Sequence, residues 1–189
     1  MDFDPKLEKN RIRRAMREAL KAFPSDLKAQ ASQQLCQQIV QFTQKHPNIR
    51  TIASFAALPM EPDLSALHQL LPHHHLVYPK SLPGGSMTFH RVAAFSDLSP
   101  GLFGILEPTD SSPHATPPQE IDLFLCPAYA YTHSGQRLGK GGGYYDRLLE
   151  NRRDDAFLLG ICYELQLHNS LPVEPHDIEV HSVLSAPSS

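Results

Sequence analysis

The pattern of apolar and polar positions predicts two amphipathic helices at the start of the chain. Over residues 6–22, apolar side chains recur at the spacing of one helix face: Ile12, Met16, Ala19 and Phe23. The pair Ser25 and Asp26 then offers a helix start, because short polar side chains can accept hydrogen bonds from free N–H groups there. A second helix is therefore expected to run to about residue 46.

Short runs rich in β-branched, aromatic and other apolar residues predict strands after these helices. The runs cover residues 49–56, 76–79, 87–92, 121–127, 157–163 and 180–184. A turn at residues 83–85 is expected to join the strands at 76–79 and 87–92. A short helix is expected at residues 64–71. The run at 121–127 is interrupted only by Asp122, which is typical of a central parallel strand.

This alternation of helices and strands, with no internal repeat, predicts a single three-layer α/β/α domain with a mainly parallel sheet over residues 1–189. Residues 109–120 hold three prolines and no periodicity, so a surface loop or flap is expected there.

Composition and charge narrow the classes of function. The chain is 41% hydrophobic with a formal net charge of −3, so it carries no global signal for nucleic acid or membrane. Three widely spaced cysteines, Cys36, Cys126 and Cys162, predict reduced thiols and a cytoplasmic protein. The N-terminus lacks the apolar core of a signal peptide, and no apolar run approaches 18 residues, so no membrane span is expected.

The densest cluster of candidate chemistry lies between Gly135 and Leu149, which contains five of the ten glycines. Glycine tolerates backbone conformations that turn successive N–H groups toward one ligand. Arg137 and Lys140 add full positive charges, so the stretch predicts a phosphate-binding loop that leads into a helix. Its spacing fits neither a Walker A loop nor a dinucleotide fingerprint. A flexible surface loop is the alternative interpretation.

Basic residues on the first helix form a second candidate. Lys9, Arg13 and Arg17 are spaced four apart, so they line up along the border of the apolar face. A solvated charged face is the ordinary explanation of such a row, whereas proximity to the buried stripe favours an anion site. The run His73-His74-His75 is not expected to bind a metal, because three successive side chains cannot all face one ion.

The sequence from Arg137 to Asp146 resembles the ATP- and folate-binding loop of the 5-formyltetrahydrofolate cyclo-ligase family, also called 5,10-methenyltetrahydrofolate synthetases. The resemblance covers roughly residues 6–184. Lys9 to Arg13 is similar to the family's N-terminal Lys-x-x-Leu-Arg element, and residues 103–108 are similar to its Phe-Gly-Ile-x-Glu-Pro element. The turn from Pro172 to Asp177 matches the family's late Pro-x-x-x-x-Asp.

The resemblance implies an enzyme that closes the ring of 5-formyltetrahydrofolate to 5,10-methenyltetrahydrofolate, using ATP and magnesium and releasing ADP and phosphate. Its implied catalytic residues are Lys140, Arg137 and Asp146. Its implied ATP-binding residues are Lys9, Arg13, Arg137, Leu138, Gly139, Lys140, Gly141, Gly142, Gly143, Tyr144 and Tyr145. Folate is assigned to Phe55, Ala56, Glu61, Lys140, Tyr144 and Tyr145, and magnesium to Asp146 and Asp177.

Some positions depart from the family's pattern. Thr132, Leu64 and His181 stand where the family commonly has Asp, Thr and Asp, and Ser185-Ala186 replaces a typical Thr-Glu. One alternative function is a nucleotide- or RNA-binding protein of the same fold without turnover. Another is an α/β enzyme acting on a phosphosugar or a coenzyme A thioester. The oligomeric state is not predicted by the sequence.

Overall fold

The computed structural model describes residues 4–82, 86–101, 104–109 and 115–187. The helices in these ranges are α1 (Pro5–Ala22), α2 (Ser25–Lys45), α3 (Leu67–Leu70) and α4 (Tyr144–Leu149). The first six strands are β1 (Thr51–Ala53), β2 (His75–Ser81), β3 (Met87–Arg91), β4 (Leu98–Pro100), β5 (Leu106–Pro108) and β6 (Ala115–Thr116). The others are β7 (Leu123–Pro127), β8 (Ala130–Thr132), β9 (Arg137–Leu138), β10 (Phe157–Tyr163), β11 (Leu167–His168) and β12 (Ser182–Ala186).

Seven strands form the main sheet in the order β12-β10-β7-β1-β2-β3-β6. The pairs from β12 across to β2 are parallel, and β3 and β6 add two antiparallel pairs at one edge. The run at 121–127 therefore supplies a strand with parallel neighbours on both sides, as predicted. Its strongly apolar sequence follows from burial on both faces of the sheet.

Successive residues of the central strands point to opposite faces and enter two separate cores. On β7, Leu123 and Leu125 pack with α1 and α2, whereas Phe124 and Cys126 join the core on the other face. That second face is covered by the short α4 and by a small sheet with the order β11-β8-β9. The predicted mainly parallel α/β class is confirmed. Within the described residues, the α-helix of the second outer layer is α4, which is six residues long.

Helix α1 begins close to the predicted position, but the prediction was wrong for one residue of its buried face. Asp4 caps the helix by accepting hydrogen bonds from the N–H groups of Lys6 and Leu7. The buried stripe continues from Ile12 and Met16 to Leu20. Ala19 is exposed, because a step of four residues follows the stripe more closely here than a step of three.

Three other local predictions also need correction. Pro24 occupies the cap of α2 and no side chain caps it, so Ser25 and Asp26 lie in the first turn instead. Strand β1 is three residues long, because the chain leaves the sheet after Ala53. Within the predicted loop at 109–120, residues 115–116 form the edge strand β6.

Three predictions fall wholly or partly on residues outside the described ranges. These are the turn at 83–85, the first residue of the element at 103–108, and the part of the proline-rich loop at 110–114. The strands that flank the turn pair antiparallel, as expected for a hairpin.

Asp122 holds the start of the sheet together. Its Oδ2 accepts hydrogen bonds from the backbone N–H groups of Arg50 and Thr51, at 2.6 and 2.7 Å. Its Oδ1 lies 2.7 Å from a guanidinium nitrogen of Arg153. The one polar residue in the apolar run therefore has a structural role.

All three cysteines are buried and carry no disulfide, as the sequence predicts. No helix in the described part of the chain combines the length and the apolar character needed to cross a bilayer.

Candidate active site

A cavity of about 740 Å³ lies between the first half of α1, the segment after β1 and the glycine-rich loop. Its position at the carboxyl ends of parallel strands is where open α/β sheets bind ligands. All the residues that the sequence assigns to ATP, folate or magnesium line it: Lys9, Arg13, Phe55, Ala56, Glu61, residues 137–146 and Asp177. The structure thus brings together segments far apart in the sequence. Which ligand each residue contacts stays a prediction.

The loop after β9 depends on glycine for its shape. Gly141 has φ of +102° and Gly143 has φ of +64°, conformations that residues with a Cβ rarely adopt. At Gly142 a Cβ would lie 2.7 Å from the ring of Tyr144, and at Gly143 it would lie 2.8 Å from a guanidinium nitrogen of Arg147. The triple glycine therefore lets the backbone of the loop pass close to two side chains of α4.

Three of the predicted phosphate-binding cations are paired with acids of the chain itself. Lys140 forms an ion pair with Glu61, and Arg137 forms one with Asp146. The Nζ of Lys9 lies 2.6 Å from Asp177 and 2.8 Å from Glu174. A polyphosphate that binds these cations would therefore have to displace the carboxylates from them.

Arg13 and Arg17 behave differently from one another. The Nε of Arg13 donates a hydrogen bond to the carbonyl of Gly139 at 2.9 Å, which ties α1 to the glycine-rich loop. The Nε of Arg17 donates to the hydroxyl of Tyr129 at 3.4 Å, and its guanidinium lies 5.8 Å from that ring. Arg17 does not line the cavity, so only the first two members of the basic row reach it.

The Lys9 cluster perturbs the pKa values of its members. Burial alone would lower the pKa of Lys9, but its hydrogen bonds to Asp177 and Glu174 outweigh that cost and raise it. For Asp177, burial acts to raise the pKa, and the bonds from Lys9 and from the Glu174 N–H prevail and lower it. The bond from Lys9 lowers the pKa of Glu174 as well. All three groups are therefore held in their charged forms.

Tyr145 brings an uncharged donor to the same region. Burial raises the pKa of its hydroxyl well above the ordinary value, so the group stays protonated. The hydroxyl is buried and makes no hydrogen bond within the described residues. Its ring lies 5.9 Å from the guanidinium carbon of Arg137.

The carboxylates predicted to hold magnesium lie next to each other in the cavity wall. Asp146 accepts a hydrogen bond from the N–H of Ile178, the residue after Asp177. Asp177 also groups with Glu174 and His176, each offering one ligand atom within 4.8 Å of the others. Carboxylate oxygens are the ligands that magnesium prefers, so the donor set fits this ion. In this structure the charges of Asp146 and Asp177 are balanced by Arg137 and Lys9.

The sequence interpretation missed Glu174, His176 and Glu107, all of which line the cavity. The first two had a usable signal, because three potential ligands fall within four positions of a proline turn. Glu107 lies in an otherwise apolar segment, where an acid is unusual.

The departures from the family's pattern lie away from this cavity. Thr132 is buried, and its hydroxyl accepts from the N–H of Gln136. Leu64 belongs to the core. His181 accepts a hydrogen bond from the N–H of Leu158, and burial lowers its pKa. None of the three lines the cavity, so each has a packing or turn role.

Comparison with known proteins agrees with this geometry. The sequence profile of the 5-formyltetrahydrofolate cyclo-ligase family matches residues 5–186. A 5-formyltetrahydrofolate cyclo-ligase of Haemophilus influenzae is 33% identical over 99 residues, 52% of this chain and 53% of that protein. The chain thus spans about half the length of that relative. One from Mycoplasma pneumoniae is 25% identical over 95% of this chain and 99% of its own length.

Solved structures show the same fold. A 5,10-methenyltetrahydrofolate synthetase from Aquifex aeolicus superposes with a TM-score of 0.81 at 25% identity, covering 94% of this chain and 89% of that one. Another, from Mycoplasma pneumoniae, gives a TM-score of 0.77 at 24% identity, covering 93% and 97%. With the profile match over nearly the whole length, the chain belongs to the 5-formyltetrahydrofolate cyclo-ligase family.

Proposed function

We propose that this chain catalyses the ATP-dependent ring closure of 5-formyltetrahydrofolate to 5,10-methenyltetrahydrofolate, with release of ADP and phosphate. Membership of the family supports the reaction class. The observation that carries the proposal is the composition of one cavity, which brings cations and a glycine loop together with apolar side chains and carboxylates. A nucleotide tail and a reduced pterin need those two environments side by side.

The cations of the cavity are suited to phosphoryl transfer. That reaction depends mainly on positioning and on neutralising charge on the transferred group. In the proposal Lys140, Arg137, Lys9 and Arg13 bind the triphosphate together with the backbone N–H groups of residues 139–143. Magnesium, held by Asp146 and Asp177, would supply further neutralisation of the phosphate oxygens when bound.

The chemistry then follows from the poor leaving ability of a formyl oxygen. Transfer of the γ-phosphoryl group to this oxygen makes it a phosphate leaving group. The neighbouring folate N–H nitrogen attacks the formyl carbon, the carbon–oxygen bond breaks as phosphate departs, and the proton of that nitrogen leaves with the phosphate. This step is intramolecular, so a folate held in a closed shape gains an effective molarity on the order of 10⁵–10⁸ M. Phe55, Ala56, Glu61, Tyr144 and Tyr145 are the residues proposed to hold it.

The purified chain tests the proposal when it is incubated with 5-formyltetrahydrofolate, ATP and magnesium while the absorbance of the methenyl product is followed. Product should form only when all three are present, with one ADP released for each product. Nucleotide binding without product or ADP would favour the alternative of a binding protein. The cytoplasmic location expected from the reduced cysteines belongs to this proposal.

Variants of the Lys140–Glu61 pair separate the two substrates. Lys140→Ala should raise the ATP concentration needed for half-maximal rate, and Glu61→Gln should mainly impair folate binding. Because the two side chains form an ion pair, each variant also frees its partner. The double variant is therefore needed, and its loss should be smaller than the sum of the two single losses.

A further inference from the structure

One buried carboxylate of the cavity lacks a positive partner in the part of the chain that the structure describes. Glu107, on β5, is 5% exposed and lines the cavity. Its Oε1 accepts a hydrogen bond from the hydroxyl of Ser81 at 2.7 Å. No ion pair reaches it from the described residues, whereas Glu61, Asp146 and Asp177 each contact a cation.

Among the described residues, this arrangement leaves part of the hydrogen-bonding capacity of Glu107 unused. A carboxylate has about four lone-pair sites, and Ser81 occupies one of those on Glu107. Burial of a charged group without compensating partners is costly. The remaining capacity of Glu107 therefore suits a ligand that brings its own donors into the cavity. Gly101 leaves room for this side chain, since a Cβ there would lie 2.3 Å from Oε2.

The walls around Glu107 are apolar. Met87 lies directly opposite Ser81 in the β2–β3 ladder, and Ile105 lies two residues before Glu107. Both line the cavity, as do Pro79 and Phe55. A slot with apolar walls and one carboxylate fits a flat heterocycle that presents adjacent N–H groups along one edge.

We propose that Glu107 is the residue that recognises the aminopyrimidine edge of the folate's pterin ring, accepting hydrogen bonds from its ring N–H and its 2-amino group. This inference rests on the proposed function. The two donors of that edge lie side by side, so a carboxylate can bind them in the bidentate way in which it binds a guanidinium. Glu61, the acid that the family resemblance assigns to folate, is already engaged by Lys140 and by the N–H of Leu58.

The variant Glu107→Gln tests the assignment, because it keeps the size and an acceptor for Ser81 but replaces one oxygen with a donor. Affinity for 5-formyltetrahydrofolate, measured by calorimetry, should fall about 10- to 100-fold, as expected for losing a hydrogen bond to a charged group. Affinity for the ATP analogue AMP-PNP should stay within about twofold, since within the described residues Lys9, Arg137 and Lys140 form their ion pairs with other acids and not with Glu107. The melting temperature without ligand should be unchanged or higher, because an uncompensated buried charge is removed.

Glu150→Gln is the matched control. Glu150 lines the same cavity from the exposed end of α4, so the change removes the same charge without touching the apolar slot. Folate affinity of this variant should remain that of the unmodified chain. An equal loss in both variants would mean that the overall charge of the cavity matters rather than Glu107, and would overturn the assignment.

A change in the ligand gives an independent check. A folate analogue with a methyl group in place of the 2-amino group should bind the unmodified chain at least about 10-fold more weakly than the amino compound. Glu107→Gln should distinguish the two far less.

Two further results would refute the inference and leave the proposed function standing. One is full folate affinity in Glu107→Gln, and the other is a drop in melting temperature with loss of both ligands, which would indicate a structural role. If the unmodified chain binds no reduced folate, the proposed function fails first.

Discussion

Replacing Lys9 with methionine should separate the structural from the ligand-binding role of the basic row on α1. Methionine keeps the apolar stem and the helix propensity of lysine but removes the ammonium group. In the folded chain that group lies 2.6 Å from Asp177 and 2.8 Å from Glu174, with 6% of the Lys9 side chain exposed. The variant leaves two neighbouring carboxylates without their common cation.

The size of the effect follows from the burial of the pair. Breaking a fully buried ion pair by removing one partner costs about 3–5 kcal/mol, whereas exposed pairs contribute about 1 kcal/mol or less. The Asp177 side chain keeps 17% of its surface exposed, so water partly compensates its charge. We therefore expect Lys9→Met to lower the free energy of unfolding by about 2 kcal/mol at pH 7.

This loss should depend on pH in a defined way. The pKa of Asp177 is lowered from its ordinary value of 3.8, so its contribution to stability is present above that value and disappears as the pH falls through the lower folded pKa. The pKa of Lys9 is raised from 10.5, so its contribution is complete below pH 10.5 and is lost only at higher pH. The difference between the two proteins should be constant from pH 5 to 10 and narrow below pH 3.8.

Urea unfolding followed by circular dichroism at several pH values measures this difference, and Lys21→Met serves as the control. Lys21 lies on the exposed face of the last turn of α1. Equal stability of Lys9→Met and the unmodified chain at pH 7 would refute the reasoning. So would a loss of stability that persists unchanged below the pH at which the carboxylates are protonated.

Three further variants or treatments test other features. Asp122→Ala should lower the free energy of unfolding by about 3 kcal/mol, because two backbone N–H groups lose a charged acceptor. The control Asp155→Ala changes a side chain that is 80% exposed, so it should have little effect in the same urea titration. Gly143→Ala and Gly104→Ala should each cost about 1–2 kcal/mol from strain at positive φ. Calorimetry should show weaker AMP-PNP binding for Gly143→Ala and unchanged binding for Gly104→Ala. Of these two positions, only Gly143 would place an added Cβ against a side chain. Cys162, whose pKa burial raises to about 12, should react with Ellman's reagent at pH 8 only after unfolding, and fast reaction of the native protein would contradict its burial.

The sheet and its helices were predictable because their signals are local. An apolar run as continuous as that of β7 fits a strand buried on both faces, and spacing of apolar residues gives the length of α1. The errors lie where the end of an element depends on tertiary contacts. The chain after Ala53 remains apolar but leaves the sheet to line the cavity at Phe55, and nothing in the local pattern marks that exit.

The candidate site was predictable in its residue types and not in its pairings. The glycines and cations of the loop are contiguous in the sequence, so the composition of this one stretch predicts a phosphate site. By contrast, Lys9 and Asp177 are 168 positions apart, and no local rule joins them. Glu107 was overlooked because a buried acid indicates a binding site only when no cation of the chain pairs with it. The folded structure is needed to see which partners it has.

These pairings affect how the cavity receives an anion. If a phosphate binds Lys9 or Arg137, the carboxylate that was paired with that cation loses its counter-charge. A charge left buried without a partner costs several kcal/mol. A ligand that brings its own cation would avoid this cost, because the freed carboxylates of Asp177 and Asp146 would gain a new positive partner if Lys9 and Arg137 turned to phosphate. A nucleotide accompanied by a divalent ion meets that requirement, and a bare anion does not. The ion pairs of the ligand-free cavity thus favour the combination of ligands that the proposed reaction needs.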